Sequence, residues 1–346
     1  MTDQTFVPDY LFEGEPAPGE LREVAPGVHW LRMPLPFKLN HINLWLLEDG
    51  DGWVAVDTGI ATDDCKAAWE TIFKDGMAGR PIKRVVVTHF HPDHIGLAGW
   101  LVERFAAPLY MPLTEWTFGR MQAGIDPSES LEAYEAFYRR AGFTTEMMQT
   151  VMRRIGGYRN RVSPIPASLI RIADGDELEI GGRRWRMIVG RGHSPEHACL
   201  YAEDDQILIS GDQVLPKISP NVSVWPQEPE GQPLALYLET LERLGREIGG
   251  DPMVLPSHNW PFKGFHARLQ DLIDHHGDRL QETLDAVNEP ATAVDVLQTL
   301  FKRPLDEHQM FFAIGETLAH LHHLIRDGAV TRTPGEDGAD RFQRAA

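Results

Sequence analysis

The stretch Val85-Val86-Val87-Thr88-His89-Phe90-His91-Pro92-Asp93-His94 decides how this chain is read. Ile82–Val87 is a short apolar run of the kind that forms a strand covered on both faces. In an extended segment residues two apart point the same way, so His89 and His91 present their imidazoles to one point. Pro92 fixes the backbone where the chain turns into a helical pattern over Ile95–Phe105, and Asp93 and His94 aim at a neighbouring point. A lone histidine is most often a packed core residue. Four donors within six residues are different, because without a cation they repel or stay unsatisfied. The two pairs read as half of a two-metal site.

Outward from this turn, the spacing predicts strands over Val28–Met33, Ile42–Leu47 and Trp53–Val56, the last two joined by the Asp-Gly turn of residues 48–52. Leu169–Ile172, Glu177–Ile180 and Arg184–Val189 follow, then Ala198–Ala202, Gln206–Ser210 and Met253–Pro256. Asp57, His89, His193, Asp212 and His258 each come just after such a strand, as a site on the rim of a sheet requires. Residues 1–24 read as an irregular arm. Residues 113–161 are helical and rich in aromatic and methionine side chains, longer than a connection needs. They are expected as an inserted cap over the site mouth or as a helical appendage. From Arg139 to Arg191 there are 11 arginines, no lysine and five acidic residues, which suits an anionic substrate, a solvated face or an oligomer contact.

The donor turn resembles the H-x-H-x-D-H signature of the metallo-β-lactamase superfamily. Asp57-Thr58-Gly59, Gly192-His193-Ser194-Pro195-Glu196-His197, Ser210-Gly211-Asp212 and Pro256-Ser257-His258 resemble its further motifs, in order, over roughly residues 25–265. The resemblance implies an α/β fold, an αββα sandwich over residues 25–288 with the 113–161 insertion. Residues 262–287 are expected to be helical; residues 289–346, with helices over Thr292–Phe301 and Asp306–Asp327 and a brief strand at 328–332, resemble the small winged-helix-like tail of some members, here net-acidic and expected to serve packing or a homodimer contact. It implies one ion held by His89, His91 and His193, a second by Asp93, His94 and His258, and Asp212 as bridge. Imidazole and carboxylate without thiolate suit zinc, with iron or manganese next. It also implies Asp57 orienting a ligating imidazole from behind, although the plainer reading of Asp57 is a cap for a helix over Ala61–Lys74. His197 is taken as a structural hydrogen-bonding residue, and Lys217, Asn259 and Lys263 as substrate contacts. His275, His276, His308, His320, His322 and His323 are assigned to packing.

The chain has 346 residues, a net charge of −18 and two cysteines, Cys65 and Cys199. That charge argues against non-specific binding to nucleic acid or anionic membrane. Two cysteines give no disulfide framework. Neither a signal peptide in Met1-Thr2-Asp3-Gln4 nor a membrane-length apolar run is visible, so a cytoplasmic protein is expected. The expected reaction is hydrolysis of an ester, thioester or lactone of a small acyl substrate by hydroxide made from solvent between two cations, Asp93 holding or shuttling its proton. A phosphodiesterase or ribonuclease on the same core, and a mono-iron persulfide-dioxygenase-like oxidoreductase, are the alternatives.

Overall fold

The structure, a computed structural model, describes residues 6–153, 155–301 and 305–346, with the backbone alone of Pro127, Glu129, Glu307 and His308. The expectations placed on Met1-Thr2-Asp3-Gln4, on Arg154 and on the His308 side chain fall outside these described residues.

The chain opens with β1 (Asp9–Tyr10), β2 (Arg22–Ala25), β3 (Val28–Pro34), β4 (His41–Asp49) and β5 (Gly52–Val56), then α1 (Asp63–Thr71) and β6 (Ile82–Val86). After the donor turn come α2 (Pro92–Ile95), α3 (Ala98–Phe105), β7 (Leu109–Met111), and the helices α4 (Leu113–Gly124), α5 (Pro127–Arg140) and α6 (Thr145–Met152). The second half holds β8 (Ile170–Arg171), β9 (Glu177–Ile180), β10 (Arg183–Gly190), β11 (His197–Ala202), β12 (Ile207–Gly211), α7 (Pro233–Glu247), β13 (Met253–Pro256), β14 (Phe262–Lys263) and α8 (Phe265–Ala286). The tail is α9 (Ala293–Leu300), α10 (Glu307–Arg326) and the hairpin β15 (Val330–Pro334) and β16 (Asp340–Arg344).

Strands β2 to β8 form one seven-stranded sheet in chain order; the other runs β1-β14-β13-β12-β11-β10-β9. The period of two sorts each strand between two cores. On β5, Val54 and Val56 face Trp185, Met187, Leu200, Ile209 and Leu255 of the opposite sheet. Trp53 and Ala55 face the other way, onto Trp69 of α1 and Leu101 of α3. The outer face of the second sheet packs under α7 and α8, where Leu208 and Val254 meet Tyr237 and Leu269. Four layers result, helix, sheet, sheet, helix. Both cysteines are buried and free.

Three local expectations are corrected. The arm is not irregular throughout: β1 pairs with β14 and β2 with β3, so it adds an edge strand to each sheet. Residues 262–263 are strand, and the helix starts at Phe265, because Phe262 pairs with Tyr10 and Val254. The tail holds two strands where one is expected at residues 328–332. Among the described residues, no helix is long and apolar enough to cross a membrane.

Candidate metal centre

The parallel pairs β5–β6 and β12–β13 end on the same rim, and that rim carries the donors. Beyond β6 the chain leaves the sheet, and Pro92 opens α2 with the His94 amide donating to the His91 carbonyl at 2.9 Å. His89 Nε2 then stands 2.9 Å from His91 Nδ1 and 3.3 Å from His193 Nε2. With an Asp212 oxygen, these donors form a group whose atoms all lie within 4.8 Å of one another. Asp93, His94 and His258 form a second such group. Asp212 lies between them: Oδ2 is 3.4 Å from His193 Nε2 and 3.5 Å from His94 Nε2, and Oδ1 is 3.4 Å from His258 Nε2.

Three imidazoles have their protons fixed from behind. Nδ1 of His94 meets Asp57 Oδ2 at 2.8 Å, that of His193 the Asn221 carbonyl at 2.8 Å, and that of His258 the His41 carbonyl at 2.9 Å. Each partner only accepts, so the proton sits on Nδ1 and the Nε2 lone pair faces the centre. His94 Nε2 and Asp212 Oδ1 are buried with no hydrogen-bond partner. Lone pairs orphaned in this way are costly unless a cation takes them. The donor set therefore fits divalent metal ions, and its nitrogen and oxygen atoms suit zinc, iron or manganese. Burial, and then the neighbouring His94 and His91, hold His89 well below the usual histidine range. Burial works against ionisation of Asp212 too, yet His258 and His94 pull its carboxyl well below the usual range.

The sequence profile of the metallo-β-lactamase superfamily matches residues 38–258, the stretch that carries every one of these donors. The chain belongs to the metallo-β-lactamase superfamily. A further profile, the metallo-β-lactamase-like C-terminal domain, matches residues 280–345. The chain is similar to a β-lactamase domain protein from Burkholderia ambifaria of known crystal structure, 44% identical over 98% of each chain with a TM-score of 0.90. A probable metallo-hydrolase of Bacillus subtilis is 26% identical over 309 residues, 87% of this chain and 93% of its own length. A human acyl-coenzyme A thioesterase is 26% identical over 204 residues, 56% of this chain and 65% of its own length. As a member of the superfamily with its donor groups brought together, this chain is a metal-dependent hydrolase.

The support around the superfamily's donors is specific. Asp57 takes φ +62°, a region a non-glycine residue enters only when held there. It also accepts from the Thr88 amide at 2.8 Å, so one carboxylate ties β5 to the donor turn. It does not cap the next helix; Thr62 does, accepting from the Cys65 amide. His197 Nε2 accepts the Asp212 amide at 3.0 Å, which fixes the carboxylate's backbone and leaves that imidazole in neither donor group. Gly211 permits this, since a Cβ there would lie 2.4 Å from the His197 ring. Gly96 and Gly99 permit close approach likewise, to the Gly59 and Pro164 carbonyls.

Sequence reasoning missed Glu115. It is fully buried at the start of α4. Its Oε2 accepts the Phe90 amide at 3.0 Å, and Oε1 accepts Ser194 Oγ at 2.8 Å and the Glu196 amide at 2.6 Å. One carboxylate of the inserted helices thus staples the His89–His91 loop to the His193 loop. Burial pushes its carboxyl up to about 7 against the pull of those donors.

Of the expected substrate contacts, Lys217 is exposed, the Lys263 ammonium donates to the Asp251 carbonyl, and the Asn259 amide donates to His41 Nε2 at 2.9 Å. None of them lines the cavity of about 830 Å³ that opens beside His91 and His193. Its walls are Phe90, Phe118 and Tyr158 on the insert side and Trp225, Phe311 and Phe312 on the other, with Arg153 and Arg161 also on the lining. Part of the arginine-rich segment is spent elsewhere: Arg140, Arg183 and Arg186 pair with Asp340, Asp205 and Glu247.

Proposed function

We propose that this chain hydrolyses a thioester, ester or lactone of a small acyl substrate, with two divalent cations held by His89, His91, His193, Asp93, His94, His258 and the shared Asp212. The observation that carries the reading is the aromatic cavity ending on His91 and His193. Apolar walls with a few convergent polar groups suit an acyl group better than a nucleic-acid backbone. The relative named as an acyl-coenzyme A thioesterase points the same way.

When bound, such cations supply Lewis acidity and lower the pKa of water toward neutrality. The protein's own contribution is positional. Asp57, Asn221 and His41 hold three imidazoles with their lone pairs inward. Asp93, with Oδ2 3.7 Å from His258 Nε2 and 3.9 Å from His94 Nε2, is only partly buried and is suited to take a proton and return it to the leaving group. Phe90, Phe118 and Tyr158 keep bulk water off the carbonyl, and Arg153 and Arg161 favour a substrate carrying negative charge.

The test is a panel of acyl-coenzyme A thioesters, aryl esters and lactones, assayed with the zinc-, manganese- and iron-loaded chain. Turnover that a chelator abolishes and metal restores is expected, with two ions per chain by elemental analysis. No turnover across the panel, alongside cleavage of bis-p-nitrophenyl phosphate, would replace this reading with the phosphodiesterase. One iron per chain with oxygen uptake would replace it with the dioxygenase.

A further inference from the structure

The tail does more than fill space behind the second sheet. Helix α10 lies on the loop 221–225: the Val224 amide donates to the Gly315 carbonyl at 3.0 Å, and Ser223 Oγ lies 3.4 Å from the Phe312 carbonyl and 2.7 Å from Asn221 Oδ1. The contact is as close as backbone allows, since a Cβ on Gly315 would sit 2.7 Å from Ser223 Cβ. This is the loop whose Asn221 carbonyl orients His193. At the same place the rings of Phe311 and Phe312 lie 5.1 and 6.0 Å from Trp225, and all three line the cavity. They are only partly buried, so part of each ring is left to the cavity beside His193.

The insert meets the tail on the opposite side. The Val294 amide donates to the Ala141 carbonyl at 3.0 Å, and the insert also meets the loop after Trp225, where Tyr134 Oη accepts from Gln227 Nε2 at 2.6 Å. The cavity therefore lies between two aromatic groups, Phe118 and Tyr158 of the insert with Phe90 on one side, and Phe311 and Phe312 of the tail with Trp225 on the other. Large apolar rings left partly exposed on the walls of a cavity mark a binding surface.

We propose that Phe311, Phe312 and Trp225 form the wall that selects the acyl group, so that the C-terminal tail determines specificity and the substrate carries an extended aliphatic acyl chain. This rests on the acyl-hydrolase reading above. The chain runs from the carbonyl held near His91 and His193 toward α10, and each methylene laid on the wall raises kcat/KM roughly fourfold.

The experiment uses the full-length, metal-loaded chain with acyl-coenzyme A thioesters from acetyl to dodecanoyl. The decanoyl-to-acetyl ratio of kcat/KM is expected to fall about tenfold in Phe312→Ala, the worth of one to two methylenes. Phe312→Trp keeps the packing and moves the optimum to shorter chains. A ratio is unaffected by the fraction of protein that folds. Decanoate binding, followed by titration calorimetry, gives a readout without turnover and is expected to weaken in both variants. Decanoate binding that depends on Phe312 without any thioester turnover upholds the wall and removes the hydrolase reading. Turnover with a ratio indifferent to both variants upholds the hydrolase and overturns the wall. Absence of both removes both.

Discussion

Replacing Glu115 by glutamine tests whether the insert braces the metal loops. The carboxylate accepts three donors, the Phe90 and Glu196 amides and Ser194 Oγ, in a place without solvent. Glutamine has one acceptor oxygen. Turning its amide nitrogen toward Phe90 strands the Phe90 amide, and turning it toward Ser194 and Glu196 strands the Glu196 amide while the Ser194 hydroxyl turns to accept, so either orientation leaves one buried backbone N–H without an acceptor. One orphaned buried N–H costs about 1–3 kcal/mol. In a chain of this size that lowers the melting temperature by roughly 2–10 °C. Phe90 separates His89 from His91 and Ser194 follows His193, so both loops of the first donor group loosen together. A weakened outer brace of this kind costs about 10–100-fold in metal affinity. The assay is zinc titration against a competing chelator, with a thermal melt of the metal-free chain beside it. A Glu115→Gln chain that binds zinc as tightly as the native one, whatever its melting temperature, would refute the brace.

Other perturbations follow the same physics. Asp57→Asn keeps a residue that tolerates φ +62° but leaves one acceptor oxygen where two serve the Thr88 amide and His94, so about a 10–100-fold loss of metal affinity is expected; a chelator titration indistinguishable from that of the native chain would count against it. Gly211→Ala drives a methyl into the His197 ring at positive φ, and a loss of about 2–4 kcal/mol should appear in urea unfolding. An unchanged midpoint would show that His197 can move away without cost. The buried pair His276 and His320 is depressed in the fold to about 3 and about 4, chiefly by burial. The unfolded chain takes those protons near pH 6.5, so the stability they contribute is complete above that pH and drains away below it, by about 1.4 kcal/mol per pH unit for each ring. The stability gap between native and His276→Leu chains should therefore narrow between pH 6.5 and 4.5, and a constant gap would contradict it.

The four donors of residues 89–94 are legible because they act through one turn, where spacing alone sets direction. His193, Asp212 and His258 are legible only from their order, each behind a strand that periodicity can locate. Glu115, Asn221 and His41 carry no such mark, because their partners lie 25 to 81, 28 and 217 residues away and two of them act through backbone carbonyls that any side chain could own. The short strands β1 and β14 escape for the same reason: two residues have no periodicity, and only pairing across the chain makes them strands. The aromatics of α10 look like ordinary core until the cavity beside them is seen.

Asn221 leans on a helix that begins at Glu307, so the ribosome releases the loops of this centre well before their prop has been synthesised. The loop that orients His193 gains this support only when residues 307–326 have been made.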